Sequence, residues 1–573
     1  MRCGGAMIET SKETKAQRVE RLKRQKNPLE GLDEIRKFAR EGRTSIPPEW
    51  LGTYFRWWGV YTQGDGVGAV GGINGEGRAT SYFMVRIRIP NGILSSQQLR
   101  TISGLARDYA RGIADITVRQ NIQLHWVEIQ ALPELLERLS RSGLTTMAAC
   151  GDVTRNITGC PLAGVDADEI CDASSLVRQV TQLLVPSPEF YNLPRKFKIC
   201  ITGCRAWCSY PEINDIGLTA VRRAGRETSE IGFSLRVGGG LSTDPHLGVR
   251  LNTFVKWQQV LPVVRGIAEI FRDADVLREH RERARLKFLF LRQGWTPESF
   301  QRELEQRIGF TLDPAVPEEA PSDVYRDHVG IHTQKQAGYS YVGAAVLRGR
   351  LSAEQMRAAA DLAEQFGSGE VRTTNMQNLL ILNVPEVRAS ALATELAKIG
   401  LPVEGSPFWR GAIACTGTEF CKIAITETKG FARWLVEEME ERLPEFDQQL
   451  KLHVTGCPNS CGQHWIADVG LEGKKLKADG RLQDAYYFCV GGAVGKHQGI
   501  ARPTGYRCLA TEVPDALERL LRAYMELRFP GENLRQFFGR FSEAEIRVFL
   551  AGIPMAAIGR DLPTARPSHG VEG

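Results

Sequence analysis

An internally duplicated α+β fold is predicted by three features of this 573-residue chain. The segment GILSSQQLR from Gly92 returns as GRLSAEQMR from Gly349, identical at five positions of nine and 257 residues further on. Each is preceded by a strand pattern and followed by apolar residues at helical spacing. Each copy then runs into a cysteine-bearing region, so the repeat extends well past the helix.

In the first copy YFMVRIRIP alternates strictly, which turns Phe83, Val85, Ile87 and Ile89 toward a core and Arg86 and Arg88 to the opposite face. YSYVGAAVL takes the equivalent place in the second copy. Helices start at the repeated motifs, because Ser95 with Gln98 and Ser352 with Gln355 have capping-box spacing and follow the stapling residues Leu94 and Leu351. Leu99, Ile102, Leu105, Ala106 and Tyr109 form one apolar stripe; Met356, Ala359, Leu362, Ala363 and Phe366 form the other. A β-like stretch follows in each copy, ADITVRQNIQLHWVEI or GEVRTTNMQNLLILNV, and then a Pro-Glu helix ending in Gly-Leu at 143 and 400. Each unit therefore reads strand, helix, strand, helix, a half-domain that needs its twin to complete a sheet.

The cysteines carry the chemistry. Cys415 and Cys421 lie in CTGTEFCKIAITETK, and Cys457 and Cys461 in TGCPNSCGQ. Four thiolates in two close pairs suit a thiophilic metal centre. Structural zinc pairs space their cysteines by about two to four residues, so the five residues between Cys415 and Cys421 are too many for a zinc knuckle. The surrounding Gly, Thr and Asn residues can bring backbone N–H groups to sulfur, as iron–sulfur sites require. In the first copy Cys160, Cys204 and Cys208 stand opposite Cys415, Cys457 and Cys461, while the place of Cys421 falls near Asp166. That copy reads as a site with a missing ligand.

These motifs resemble the sirohaem and 4Fe-4S assimilatory nitrite and sulfite reductases, and the resemblance runs from about residue 28 to about residue 550, duplication included. It implies a pseudo-twofold pair of ferredoxin-like half-domains plus two α/β modules for sirohaem and the iron–sulfur cluster. The boundaries it suggests are an N-terminal helical extension over 1–65, half-domains over 66–147 and 326–405, modules over 148–325 and 406–555, and a tail over 556–573. By the same resemblance Cys415, Cys421, Cys457 and Cys461 hold the 4Fe-4S cluster, and Cys461 also bridges to the sirohaem iron. Arg86, Arg155, Lys196 and Lys198 match the family's basic residues around the substrate anion, whose cleaved oxygens need protons to leave as water. Arg119, Gln123 and His125 match the stretch along the sirohaem, whose carboxylates call for cationic or hydrogen-bonding partners. Asn459 matches a residue touching the macrocycle. A lone histidine in such a stretch is commonly structural, and axial ligation by His125 is not expected.

Two segments that imitate phosphate-binding motifs are discounted. GVGAVG at Gly66 to Gly71 precedes a strand instead of opening a helix, and VGGAVGKH at 490 to 497 lacks the first Gly and the Ser or Thr of a phosphate loop. No stretch is spare for a flavin module, so electrons are expected singly from a separate protein, reduced ferredoxin. A net charge of +6 on so long a chain is too dilute to imply nucleic acid. No run approaches the roughly 18 apolar residues of a membrane span, and the N-terminus lacks a signal-peptide core, so a cytoplasmic location is expected. Thirteen cysteines are then thiols and ligands, with Cys3, Cys150, Cys171, Cys200, Cys489 and Cys508 left as buried thiols. Arg18, Arg21, Lys23 and Arg24 offer a basic face that suits either an acidic ferredoxin or solvent.

On substrate the resemblance divides. CTGTEFC, the Gly462-Gln463 pair and the C-terminal EVPDALERLLRAYMELR look like the nitrite-reducing branch, whereas Lys198 resembles the sulfite-reducing branch, the nitrite enzymes commonly having Asn there. Nitrite to ammonium is the expected reaction, with sulfite to sulfide the alternative. A cluster-bearing protein that only carries electrons would need no anion pocket, so the basic set argues against it.

Overall fold

The computed structural model describes residues 13–70, 77–224, 229–319 and 326–554. Cys3, Gly71 of the glycine-rich loop and the expected tail over 556–573 lie outside them.

The two half-domains complete each other's sheets. The first sheet runs in the order Val60–Thr62, Phe83–Ile87, Ile122–Val127, Ile113–Ile116, and ends on Arg350–Ser352 from the second copy. The second runs Gly330–Thr333, Tyr339–Ala344, Leu379–Pro385, Glu370–Thr373, and ends on Ile93–Ser95 from the first copy. Leu351 sits opposite Ala114 and Leu94 opposite Val371, so the exchanged strands keep equivalent registers. Both capping boxes form as expected at Ser95 and Ser352. The first N–H of each helix also crosses over: Ser96 donates to the Gly369 carbonyl and Ala353 to the Gly112 carbonyl, both at 2.7 Å. Helices Ser96–Tyr109 and Ala353–Phe366 then bury Leu99, Ile102 and Leu105 with Met356, Ala359 and Ala363 in one shared core.

One expectation needs correction. The β-like stretch of each copy is two strands, not one, folded as a tight hairpin at 117–121 and 374–378. Thr117 and Asn121 close the first hairpin, and Gln120 adopts a left-handed φ of 60° with its partner Gln377 at 62°. Neither turn carries the Asn-Gly or Asp-Gly pair that marks such a bend, and the chain instead holds the conformation with tertiary bonds. The Gln120 side chain donates to the Gly159 carbonyl at 3.0 Å and the Gln377 side chain to the Ile116 carbonyl at 2.8 Å.

The two α/β modules have their own sheets. In the first, Ile199–Thr202 pairs in parallel with Ile216–Arg223, followed by Glu230–Val237 and Val249–Lys256. In the second, Ala412–Ala414, Leu452–Thr455 and the start of Val469–Ala478 are parallel, followed by Arg481–Val490 and Arg502–Leu509. Helices Ser174–Leu184 and Val260–Asp273 cover one sheet and Lys429–Arg442 and Val513–Leu527 the other.

The N-terminal helix Lys15–Gln25 is not simply a basic outer face. Lys23 is fully buried, with its ammonium 2.5 Å from Glu20, 3.5 Å from Asp152 and 2.9 Å from the Leu193 carbonyl. It is therefore removed from any docking surface, while Arg18, Arg21 and Arg24 stay exposed. Replacing Lys23 with Met strips a cation from two buried carboxylates, and removing one partner of a buried ion pair costs about 3 kcal/mol. The denaturant midpoint of Lys23→Met is expected to fall accordingly, with Arg24→Met leaving it unchanged.

Candidate active site

Cys415, Cys457 and Cys204 follow the ends of parallel strands, where α/β sheets place their ligands. Cys415 follows Ala412–Ala414 and Cys457 lies just beyond Leu452–Thr455, and the Cys415 N–H bonds back to the Val454 carbonyl at 3.1 Å. Gly417, at φ 63°, starts the single helical turn Gly417–Phe420 that brings round Cys421, whose N–H donates to the Gly417 carbonyl. A Cβ on Gly417 would meet the Thr428 hydroxyl at 2.5 Å, so only glycine fits. Ser460 and Gln463, both left-handed, fold the loop that carries Cys461. The same bends recur at Trp207 and Tyr210 of the first module.

The quartet has the donors of a metal centre. The Gly456 N–H points at the Cys415 sulfur at 3.2 Å and the Asn459 amide at the Cys457 sulfur at 3.5 Å. Burial and the charge of Cys461 push Cys415 and Cys457 above the ordinary thiol range and Cys421 up to about 12. Such thiols ionise together only against cationic charge, which a metal supplies as it displaces their protons. Among the described residues no three of these four sulfurs lie within 4.8 Å of one another, a wider setting than one ion takes. Four cysteines so spread fit an iron–sulfur cluster.

Around the quartet the first copy supplies the supports. His125 is fully buried, stacked on Phe420 at 3.7 Å between ring centroids and 3.2 Å from Asp115. With no surface left over, it acts as a prop for the Cys415–Cys421 loop. Gly64 and Gly68 press on the same loop, and the Ala69 N–H donates to the Ala424 carbonyl at 2.7 Å. The glycine-rich stretch is thus a packing loop. The VGGAVGKH segment is also a loop, with the Gly495 N–H on the Glu212 carboxylate.

Cys461 and Asn459 are exposed, and Arg86 and Lys196 lie within electrostatic reach of Cys461. Burial opposes the charge of Arg86, but Cys150, Tyr61 and Cys461 outweigh it and hold its pKa above the ordinary value. Its guanidinium is fixed by Gln123, at 3.1 and 2.7 Å, and by the Cys150 sulfur at 3.1 Å. Lys196 and Lys198 flank the buried Phe197 on extended backbone that leads into Ile199–Thr202, so they share a face. Burial, with Arg195 and Arg285 nearby, pushes Lys196 down to about 7 against the pull of Cys461. Burial, with Arg119 and Lys196, holds Lys198 well below its usual range. Arg155 spends its donors on the Gly151 carbonyl, at 3.0 and 2.9 Å, and lines a cleft with Tyr61, Arg56, Arg195 and Arg281.

Arg119 sits in the hairpin turn, donating to Asn214 at 2.7 Å and to the Asn156 carbonyl at 2.6 Å. Its Nε is buried without a partner, as are Nε and Nη1 of Arg88. Unspent cationic donors are what a polycarboxylate macrocycle requires, so the residues also fit sirohaem. Sequence reasoning missed Tyr61, Cys150, Arg195 and Arg285. Arg195 lies inside the RKFK run, a local signal; Arg285 reaches the site from far along the chain through Asp215, at 2.7 Å, and has no local signal.

Fold and site together define an iron–sulfur oxidoreductase with a cationic pocket. Residues 150–312 and 406–548 match the nitrite and sulphite reductase 4Fe-4S domain, and residues 76–142 and 332–399 match the nitrite/sulfite reductase ferredoxin-like half domain. The chain belongs to this family, whose cofactors are a 4Fe-4S cluster and sirohaem. It is 38% identical over 536 residues to the assimilatory ferredoxin-dependent nitrite reductase of Haloferax mediterranei, covering 88% of each chain. It is 36% identical over 539 residues to sulfite reductase (ferredoxin) 1 of Mycolicibacterium paratuberculosis, covering 92% of this chain and 96% of that one. The NirA structure of Mycobacterium tuberculosis superposes with a TM-score of 0.87 at 35% identity, covering 92% of this chain and 97% of that one. No helix among the described residues is long and apolar enough to cross a membrane.

Gln123 positions Arg86 through two hydrogen bonds, and hydrogen bonds to charged groups contribute about 1.5–3 kcal/mol. Gln123→Leu is expected to lower kcat/KM for the anion by roughly ten- to a hundredfold, with the iron content of the cluster unchanged.

Proposed function

We propose that the protein reduces nitrite to ammonium, taking electrons one at a time from reduced ferredoxin. The observation that carries this reading is that Cys461, the exposed member of the quartet, lies within electrostatic reach of Arg86 and Lys196 from the other copy. Cys415, Cys421, Cys457 and Cys461 would hold the cluster; Asn459, Arg119 and Gln123 would border the sirohaem, with His125 supporting the loop beneath. When bound, the two groups supply single electrons and an iron site for the anion.

Nitrogen passes from oxidation state +3 to −3, so six electrons and eight protons are consumed as both oxygens leave as water. Arg86, always charged and fixed by Gln123, holds the anion. Lys196, with a pKa of about 7, is matched to donate protons near neutrality. Arg155 adds positive potential that draws the anion in, and Lys198, held low by burial and its cationic neighbours, takes up a proton as the anion's charge arrives. Ferredoxin as donor rests on the names of the relatives from Haloferax mediterranei and Mycolicibacterium paratuberculosis.

Lys198 supports a second reading. It stands among Arg119, Lys196 and Arg285, and another cation favours the sulfite dianion over the nitrite monoanion. Steady-state turnover with reduced ferredoxin is expected to give the larger kcat/KM for nitrite; a larger value for sulfite reverses the assignment. Lys198→Asn is expected to reduce sulfite turnover more than nitrite turnover, and equal losses would remove the charge argument. The purified protein should show the Soret and red bands of sirohaem, and their absence from fully loaded protein would sink the enzyme reading.

A further inference from the structure

The first module keeps three cysteines where the second has four, and the structure draws them much closer together. The Cys208 sulfur lies 3.5 Å from Cys160 and 3.8 Å from Cys204, and the three sulfurs span no more than 4.8 Å. Zinc–thiolate bonds of about 2.3 Å set tetrahedral sulfurs about 3.8 Å apart, so the triad has the spacing of ligands around one ion. It lacks the spread of the quartet across the pseudo-twofold axis. All three are buried in an apolar shell of Leu162, Val165, Tyr341, Leu380 and Leu382.

A second observation points to a ligand. His328 is buried, and neither ring nitrogen has a hydrogen-bond partner. Burying an imidazole without partners is costly. The ring stands beyond the span of the three sulfurs, with its centroid 6.4 Å from the ring of Tyr341, a member of their apolar shell. Its left-handed backbone, φ 63°, is packed against Gly343, where a Cβ would lie 1.7 Å from the His328 carbonyl oxygen. Asp166, at the place of Cys421, is taken by Arg326 at 3.0 Å and is not free to ligate.

We propose that Cys160, Cys204 and Cys208 bind a single zinc ion, with His328 turning in as the fourth ligand. A three-cysteine, one-histidine set is a closed structural zinc site. It would tie the two cysteine loops of the first module to the segment entering the second half-domain, and it takes no part in electron transfer. The ion enters as the thiols release their protons, with no change of oxidation state.

The test is metal analysis of the intact, iron-loaded protein purified from zinc-sufficient cells. One zinc per chain is expected, falling at least tenfold in Cys204→Ser while iron and sirohaem absorbance persist. Zinc-edge X-ray absorption on the unmutated protein should show three sulfurs at about 2.3 Å and one nitrogen at about 2.0 Å, and this holds whether or not the variant folds. His328→Ala should weaken zinc retention against a chelator. Wild-type protein without zinc, zinc that follows Cys457→Ser instead of Cys204→Ser, or an all-sulfur shell overturns the site; retention unchanged in His328→Ala overturns the histidine ligand.

Discussion

Asp115 is the charge on which the two copies are joined. It sits on a core strand of the first half-domain, directly opposite Arg350 on the strand lent by the second. Arg350 grips it through two nitrogens at 2.8 and 3.1 Å, His125 approaches at 3.2 Å and Lys429 at 3.7 Å. Burial alone would raise its pKa, but Lys429, His125 and Arg350 reverse the sign and hold it far below the ordinary carboxylate range. A buried charge is tolerated only where such partners converge. These partners are not decorative: Lys429 closes the ETK segment of the cysteine region, and Arg350 also holds Glu419 in the CTGTEFC turn at 3.0 and 2.9 Å. One carboxylate thus fixes strand exchange and the cysteine loop together.

That linkage explains the division of labour between the copies. The parallel strands of the second module aim four thiols at the interface, and the first copy brings Arg86, Lys196 and Lys198 to meet them. Clustered thiols resist ionising, and clustered lysines lose their protons, Lys196 near neutrality and Lys198 well below its usual range. Cys461 favours the charged forms of Arg86 and Lys196, and an arriving anion relieves the cations further. A pocket so poised binds anions because its own charges are incompletely compensated.

Local features were legible in the sequence, and distant ones were not. The capping boxes at Ser95 and Ser352 depend on residues three apart, so spacing alone revealed them. The duplication was legible for the same reason, and it led to the expectation that each half completes the other's sheet. The hairpins at Gln120 and Gln377 were missed because their left-handed bends are held by contacts to Gly159 and Ile116 instead of turn-forming residues. Lys23 read as part of a basic face because nothing nearby in sequence announces Asp152 or the Leu193 carbonyl. His125 was legible only as a residue of a matching motif that is commonly structural; its stacking on Phe420, nearly three hundred residues away, had no local signal.

The two cysteine regions then show how one backbone plan serves two ends. In both, the second pair of cysteines follows the end of a parallel strand, and both bend through paired left-handed residues, Ser460 and Gln463 or Trp207 and Tyr210. What differs is the turn after the first cysteine. In the second copy Gly417 lets that turn close on Thr428 and deliver Cys421, which spreads the four sulfurs. In the first copy the equivalent N–H, from Asp166, still bonds back four residues to Leu162, but the side chain is a carboxylate held by Arg326. Without a fourth sulfur to spread them, Cys160, Cys204 and Cys208 collapse to van der Waals contact inside an apolar shell. A single ligand position therefore separates a wide site from a narrow one, while the paired bends beside both are the same.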